Sequence, residues 1–278
     1  MKDLFLTSFT HIISSQWLSE NLKNPNLVIL DVSIPSVNSI NPSELTDRRI
    51  PNARFFDLKN IFSDQDHDLP AMMPTPESFQ QSARELGINR NSQIVIYDNL
   101  GIYSSPRVWW MFRAMGHENV VVLDGGLPEW NRLELPTESI ASDKYEQGDF
   151  VSNFQSSSFS DFDKVNESIS TDQIKVIDAR SEGRFNGTSP EPRAELRSGS
   201  IPHSINLPFG NVLEEGKMLS SVKLKSIFEK LNIRDEHLIF TCGSGVTACI
   251  ILLAAEVAGF KSSKSVYDGA WSEWATIN

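Results

Sequence analysis

The chain has two thiols that could do covalent chemistry, Cys242 and Cys249. Cys242 follows the apolar stretch H-L-I-F-T (237–241). It is followed by Gly243, Ser244 and Gly245, and then by a second, longer apolar run. A strand, then Cys-Gly-Ser-Gly, then a helix starting near Val246 or Thr247 puts the Cys242 sulfur at the helix's amino-terminal end. The unpaired N–H groups of a first turn point outward and carry partial positive charge. Two glycines let the turn curl until successive N–H groups converge on one anion. Such a position favours the thiolate form of a cysteine, so Cys242 reads as a nucleophile. Cys249 falls inside A-C-I-I-L-L-A-A-E and reads as core.

Several cysteine chemistries do not suit this loop. Phosphoryl transfer would need an arginine where Ala248 stands. A protease-type thiol needs a histidine base, and the nearest in sequence, His237, lies at the wrong end of the strand. No C-x-x-C pattern is present, and no Cys/His cluster has zinc spacing. Neither a metal nor a cofactor is expected.

The elements that must hold this loop occur twice. N-L-V-I-L-D (26–31) matches I-K-V-I-D (174–178), and R-I-P-N-A-R-F-F-D-L (49–58) matches S-I-P-H-S-I-N-L-P-F (200–209). S-Q-I-V-I-Y-D-N (92–99) matches E-H-L-I-F-T-C-G (236–243), and L-D-G-G-L-P-E-W (123–130) matches Y-D-G-A-W-S-E-W (267–274). Four blocks in one order indicate a duplicated domain. Aligned through the glycines that end the following helices, Gly116 and Gly259, Asn99 falls opposite Cys242. The first loop, with no thiol, is expected to be chemically silent.

Within each half, short buried-type strands alternate with helical spacing. The stretches 77–88 and 220–233 are amphipathic. The stretches 106–116 and 247–259 are apolar nearly all round and should be buried helices. This pattern predicts an α/β fold, each half a mainly parallel sheet flanked by helices. The boundaries expected are a silent domain over 1–138, a polar linker over 139–165 and a catalytic domain over 166–278.

Composition sets limits. The 278 residues are 40% hydrophobic and 22% charged, with a formal net charge of -11. That is an ordinary globular composition and argues against general nucleic-acid binding. No apolar run approaches the roughly 18 residues of a membrane span. The amino terminus lacks the apolar core and cleavage pattern of a secretory leader, so a cytoplasmic location is expected.

The strings D-A-R-S-E-G-R-F-N-G-T, C-G-S-G-V-T-A and Y-D-G-A-W-S-E-W, with a first copy that lacks the cysteine, resemble tandem-rhodanese sulfurtransferases over nearly the whole chain. The resemblance implies two rhodanese-like domains and ping-pong sulfur transfer through a Cys242 persulfide. C-G-S-G-V-T is similar to the loop of members that use 3-mercaptopyruvate and release pyruvate. C-R-K-G-V-T marks those that use thiosulfate. Acceptors implied are thioredoxin, small thiols or cyanide. The pattern G-R-F-x-G-T-x-P-E-P-R implies that Arg184 and Arg193 bind the donor, alongside Gly243, Gly245, Val246 and Thr247 of the loop. Family proposals further imply a relay of Ser244 with Asp57 and His67. Arg180, beside Asp178, reads as structural. Where the family commonly has H-I-P-G, this chain has R-I-P-N and S-I-P-H, with histidine lost from both first positions and His203 displaced. Two alternatives stay open: a thiosulfate:cyanide sulfurtransferase, and a non-catalytic rhodanese-like docking protein.

Overall fold

A computed structural model describes residues 11–34, 47–140 and 144–277. The first ten residues, read above for a leader, and 141–143 of the expected linker lie outside the described residues. The chain forms two compact units. Within the described residues the first comprises the chain to Asp64, then Pro74–Phe154 and Glu215–Met218. The second comprises Gln65–Met73, Gln155–Glu214 and the chain from Leu219. Each sequence half thus lends a short segment to the other half's unit. Within the second unit, Met73 N–H donates to Asp268 Oδ2 at 2.7 Å. The stretch read as linker is divided at Phe154. Phe150, in its first part, is fully buried, and its carbonyl accepts from Arg84 Nε at 2.7 Å.

The first unit holds five parallel strands: β1 (Ile12–Ile13), β2 (Leu27–Asp31), β3 (Arg54–Phe55), β4 (Gln93–Tyr97) and β5 (Val120–Leu123). Their spatial order is β1-β5-β4-β2-β3. The second unit repeats this with β6 (Phe159–Ser160), β7 (Ile174–Asp178), β8 (Ile205–Asn206), β9 (His237–Thr241) and β10 (Lys264–Tyr267), in the order β6-β10-β9-β7-β8. Registers repeat too: Asp31 pairs with Tyr97, and Asp178 pairs with Thr241. The central strands are runs of Val and Ile because parallel sheets are covered on both faces.

The covering helices follow the sequence pattern. Ser105–Ala114 is buried at every position but Arg113, and Ala248–Val257 is buried from Ala248 to Ala255. Pro76–Glu85 turns Phe79 and Ala83 inward, and Ser221–Glu229 turns Leu224 and Phe228 inward. Thr75 and Ser220 cap these two helices with their side chains, a contribution of about 1 kcal/mol each. In the second unit, Val176, Ile239, Tyr267 and Trp271 form one core cluster.

Asn52 and His203 resolve the departure from H-I-P-G. Both stand where the pattern has glycine, and both have positive φ, +63° and +62°. Asn and His tolerate that left-handed conformation better than most residues. His203 is therefore a turn residue in glycine's place, not a displaced histidine.

Candidate active site

In open parallel sheets, ligand sites lie beyond the carboxyl ends of the strands. Cys242 immediately follows β9, the central strand of the second sheet. Its carbonyl accepts from Trp271 N at 2.9 Å. The Gly243 carbonyl accepts from Ser272 N at 3.1 Å and from Ser272 Oγ at 2.6 Å. The helix Ala270–Ile277 therefore pins the base of the loop. The chain then turns through Gly245, at φ +78°, into the helix Ala248–Val257.

The first main-chain bonds of that helix run from Cys249 N to Val246 O and from Ile250 N to Thr247 O. Among the described residues, the amides of Ser244, Val246, Thr247 and Ala248 have no main-chain acceptor. No side chain caps the helix. These are the orphan donors of a helix start. Cys242 is 2% exposed, so bulk water is largely kept from its sulfur. Dipoles aimed at a charge act more strongly in such surroundings.

The first unit shows what the same loop does with an anion. Trp271 N bonds Cys242 O as Leu127 N bonds Asp98 O, and Ala179 N bonds Thr241 O as Val32 N bonds Tyr97 O. In both bonds the acceptors, Cys242 against Asp98 and Thr241 against Tyr97, are offset by 144 positions. Asp98, not Asn99, is therefore the counterpart of Cys242. The helix-based alignment fails by one because the first loop is one residue longer between strand and helix. Asp98 is fully buried. Its Oδ2 accepts from Tyr103 N at 2.8 Å, Ser104 N at 3.1 Å, Ser105 N at 3.0 Å and Ser105 Oγ at 2.7 Å. Its Oδ1 accepts from Leu100 N at 2.9 Å. The amides of the first loop are thus taken up by its own carboxylate.

Both expected arginines reach the Cys242 loop. Arg184 lies on the short helix Glu182–Phe185, and its Nη2 is 2.8 Å from where a β-carbon on Gly243 would sit. Arg193 Nη1 donates to Ser272 Oγ at 2.9 Å, and that hydroxyl donates on to Gly243 O. Arg184 thus lies beside Gly243, and Arg193 is joined to its carbonyl through one hydroxyl. Ser244 lies half-buried in the turn.

The remaining relay candidates hold local bonds. Asp57, in the first unit, accepts from Asn60 N at 2.9 Å and from Asn60 Nδ2. His67 is exposed and belongs, like Ser244, to the second unit; its Nδ1 accepts from Leu69 N at 3.0 Å. Cys249 is fully buried, with Sγ 3.4 Å from Gly245 O.

Sequence reasoning missed the supports of the arginines. Glu191, 6% exposed, bonds Arg184 through Oε2 and Arg180 through Oε1. Arg180 also grips Asp178 and the Gly199 carbonyl and lies over the Trp271 ring at 4.0 Å. The available signal was a glutamate within P-E-P-R, between the two arginines. Among the described residues no His/Cys/Asp/Glu cluster could hold a metal, and no helix is long and apolar enough to cross a membrane.

The chain is similar to known proteins over nearly its whole length. A rhodanese-like domain matches twice, over residues 14–133 and 161–277. A 3-mercaptopyruvate sulfurtransferase of Mus musculus is 40% identical, covering 96% of this chain and 92% of that protein. A thiosulfate sulfurtransferase of Rattus norvegicus is 37% identical, covering 95% of this chain and 91% of that one. The crystal structure of SseA from Escherichia coli aligns with a TM-score of 0.83 at 34% identity, covering 94% of this chain and 99% of that chain. With two matched domains, a repeated parallel sheet and sulfurtransferase relatives along its length, this chain belongs to the rhodanese family of sulfurtransferases.

Proposed function

We propose that this chain moves the sulfur of 3-mercaptopyruvate through a Cys242 persulfide to a thiol or cyanide acceptor. The observation that carries this reading is the contrast between its two loops. Amides equivalent to those gripping Asp98 in the first unit have no main-chain acceptor beside Cys242, with Arg184 beside Gly243 and Arg193 joined to its carbonyl through one hydroxyl.

The Cys242 thiolate attacks the donor sulfur. The sulfur–sulfur bond forms as the donor's carbon–sulfur bond breaks, and the electron pair of that bond leaves on carbon as the enolate of pyruvate. Protonation then gives pyruvate. The loop amides stabilise the sulfur anions throughout, as preorganised donors do for developing charge. Arg184 and Arg193 bind the carboxylate and keto oxygen, and a guanidinium orients a carboxylate as well as attracting it. The small Gly243 leaves space that Arg184 uses. An acceptor thiolate then attacks the outer sulfur and restores the Cys242 thiolate. Of the proton relay that the family resemblance implies, Ser244 and His67 both belong to the second unit. Participation of His67 requires exchange of its bond to Leu69.

The rat relative named for thiosulfate favours a second donor. Gly243 and Ser244 put no charge in the loop itself, which suits the singly charged mercaptopyruvate better. Mass analysis of Cys242 after donor treatment, with pyruvate assay, tests both readings. The expected result is one added sulfur atom, abolished in Cys242→Ser, and a higher kcat/KM for mercaptopyruvate. A higher kcat/KM for thiosulfate would reassign the donor. No added sulfur from either would favour a docking role.

A further inference from the structure

The two arginines beside Cys242 are not equivalently held. Arg193 leans on a hydroxyl, whereas Arg184 leans on a buried carboxylate. Glu191 Oε2 accepts from Arg184 Nε at 3.0 Å and from Nη2 at 2.5 Å. Its other oxygen accepts from Arg180 Nη1 at 2.8 Å. The Glu191 and Arg180 side chains are 2% and 0% exposed, so neither ion can be left unpaired cheaply. Arg180 is fixed in turn by Asp178 at the end of β7 and by the face of Trp271. The main-chain N–H of Trp271 holds the Cys242 carbonyl. An unbroken series of contacts therefore runs from Arg184 through Glu191, Arg180 and Trp271 to the main chain of Cys242.

This geometry restricts how Arg184 can bind a donor. A guanidinium offers a carboxylate two forked edges, Nε with one Nη, or Nη1 with Nη2. Glu191 occupies the first. The terminal Nη1/Nη2 edge remains, and Nη2 is the atom that lies against Gly243.

We propose that Glu191 is a positioning residue for donor specificity: it occupies the Nε edge of Arg184 and turns the terminal edge toward the Cys242–Gly243 peptide, so that a donor carboxylate is held end-on there. This rests on the proposed mercaptopyruvate reading and adds the device that aims its carboxylate. Glu191 itself touches no reacting atom.

The test compares a carboxylate donor with one that has none. Glu191→Gln keeps the shape but loses a charge. Relative to wild type, KM for mercaptopyruvate should rise roughly tenfold or more, the size expected for losing one charge-assisted bond. Persulfide formation on Cys242 by inorganic polysulfide should change less than about twofold, within the scatter of a neutral change. Arg184→Ala combined with Glu191→Gln should be no worse than Arg184→Ala alone, because both remove the same contact. Equal losses with both donors, an unchanged KM, or additive effects would each overturn the proposal. Should Glu191→Gln fold poorly, Glu191→Asp replaces it. It keeps the charge but falls short of Arg184, and must shift KM for mercaptopyruvate alone. Wild type that takes sulfur from polysulfide but not from mercaptopyruvate would sink the donor reading, and this inference with it. An active wild type with an indifferent Glu191 variant would sink the inference only.

Discussion

Replacing Cys242 by aspartate makes the anion-binding nature of the loop a question of sign. In the first unit the equivalent Asp98 receives four N–H bonds and one hydroxyl bond. Moved to position 242, a carboxylate loses the hydroxyl donor, because Ala248 stands in place of Ser105. It keeps the amides of Val246, Thr247 and Ala248 as counterparts. A net hydrogen bond to a charged group contributes about 1.5–3 kcal/mol, and a helix start adds about 0.3–1 kcal/mol. Desolvation at a site where the native residue is 2% exposed opposes these gains. With the donors in place the balance favours Cys242→Asp over Cys242→Ala, by roughly 1–3 kcal/mol on those figures. Without them, burying an unpaired carboxylate would make the aspartate variant less stable than alanine by several kcal/mol. The assay is urea unfolding of both variants at neutral pH, followed by tryptophan fluorescence. Both variants lack sulfur transfer, so activity does not enter. An aspartate variant clearly less stable than the alanine one would refute the anion cradle, and the persulfide chemistry built on it.

Gly243→Ala places a β-carbon 2.8 Å from Arg184 Nη2, the far end of a flexible side chain. Thermal unfolding should be nearly unchanged while KM for mercaptopyruvate rises, and an unaltered KM would mean that Arg184 is not used where it stands. Ser272→Ala removes the hydroxyl joining Arg193 to Gly243 O, and should reproduce most of the KM increase of Arg193→Ala, each within the roughly 1.5–3 kcal/mol of a charge-assisted bond. Steady-state kinetics on the two variants decide this. Cys249→Ser should retain turnover, since Cys249 is fully buried in the core with its Sγ 3.4 Å from Gly245 O; a folded but inactive variant would point to the wrong thiol. Burial holds the His117 imidazole below its usual value of 6.5, with Nε2 donating to the Ser92 carbonyl at 3.0 Å. The unfolded chain then takes up the proton first. The stability that His117 contributes is therefore complete above about pH 6.5 and is lost as pH falls from there toward the folded-state value. His117→Gln should flatten the dependence of the urea midpoint on pH in that window. An identical slope in both proteins would exclude His117 as its source.

The duplicated strands, the two buried helices and the Cys-Gly-Ser-Gly turn are local patterns, each set by residues that are neighbours along the chain. Val/Ile runs of strand length, continuous apolar helices and glycines at helix ends each have a short-range cause that can be read along the chain. The nucleophile candidate was legible in the contiguous glycine-rich turn, whereas Arg184 and Arg193 were singled out only through the family resemblance. Along the chain two alignments compete: the matched strand blocks set Asp98 opposite Cys242, and the glycines at the helix ends set Asn99 there. The cross-strand hydrogen bonds settle on Asp98, the difference being one extra residue in the first loop. Only the fold brings Glu191 onto both Arg180 and Arg184 and Ser272 under Arg193, since these partners are up to 79 residues apart in sequence. Buried ions must find partners wherever the packed chain supplies them. The identity of those partners is a property of three-dimensional neighbours that residue spacing does not encode.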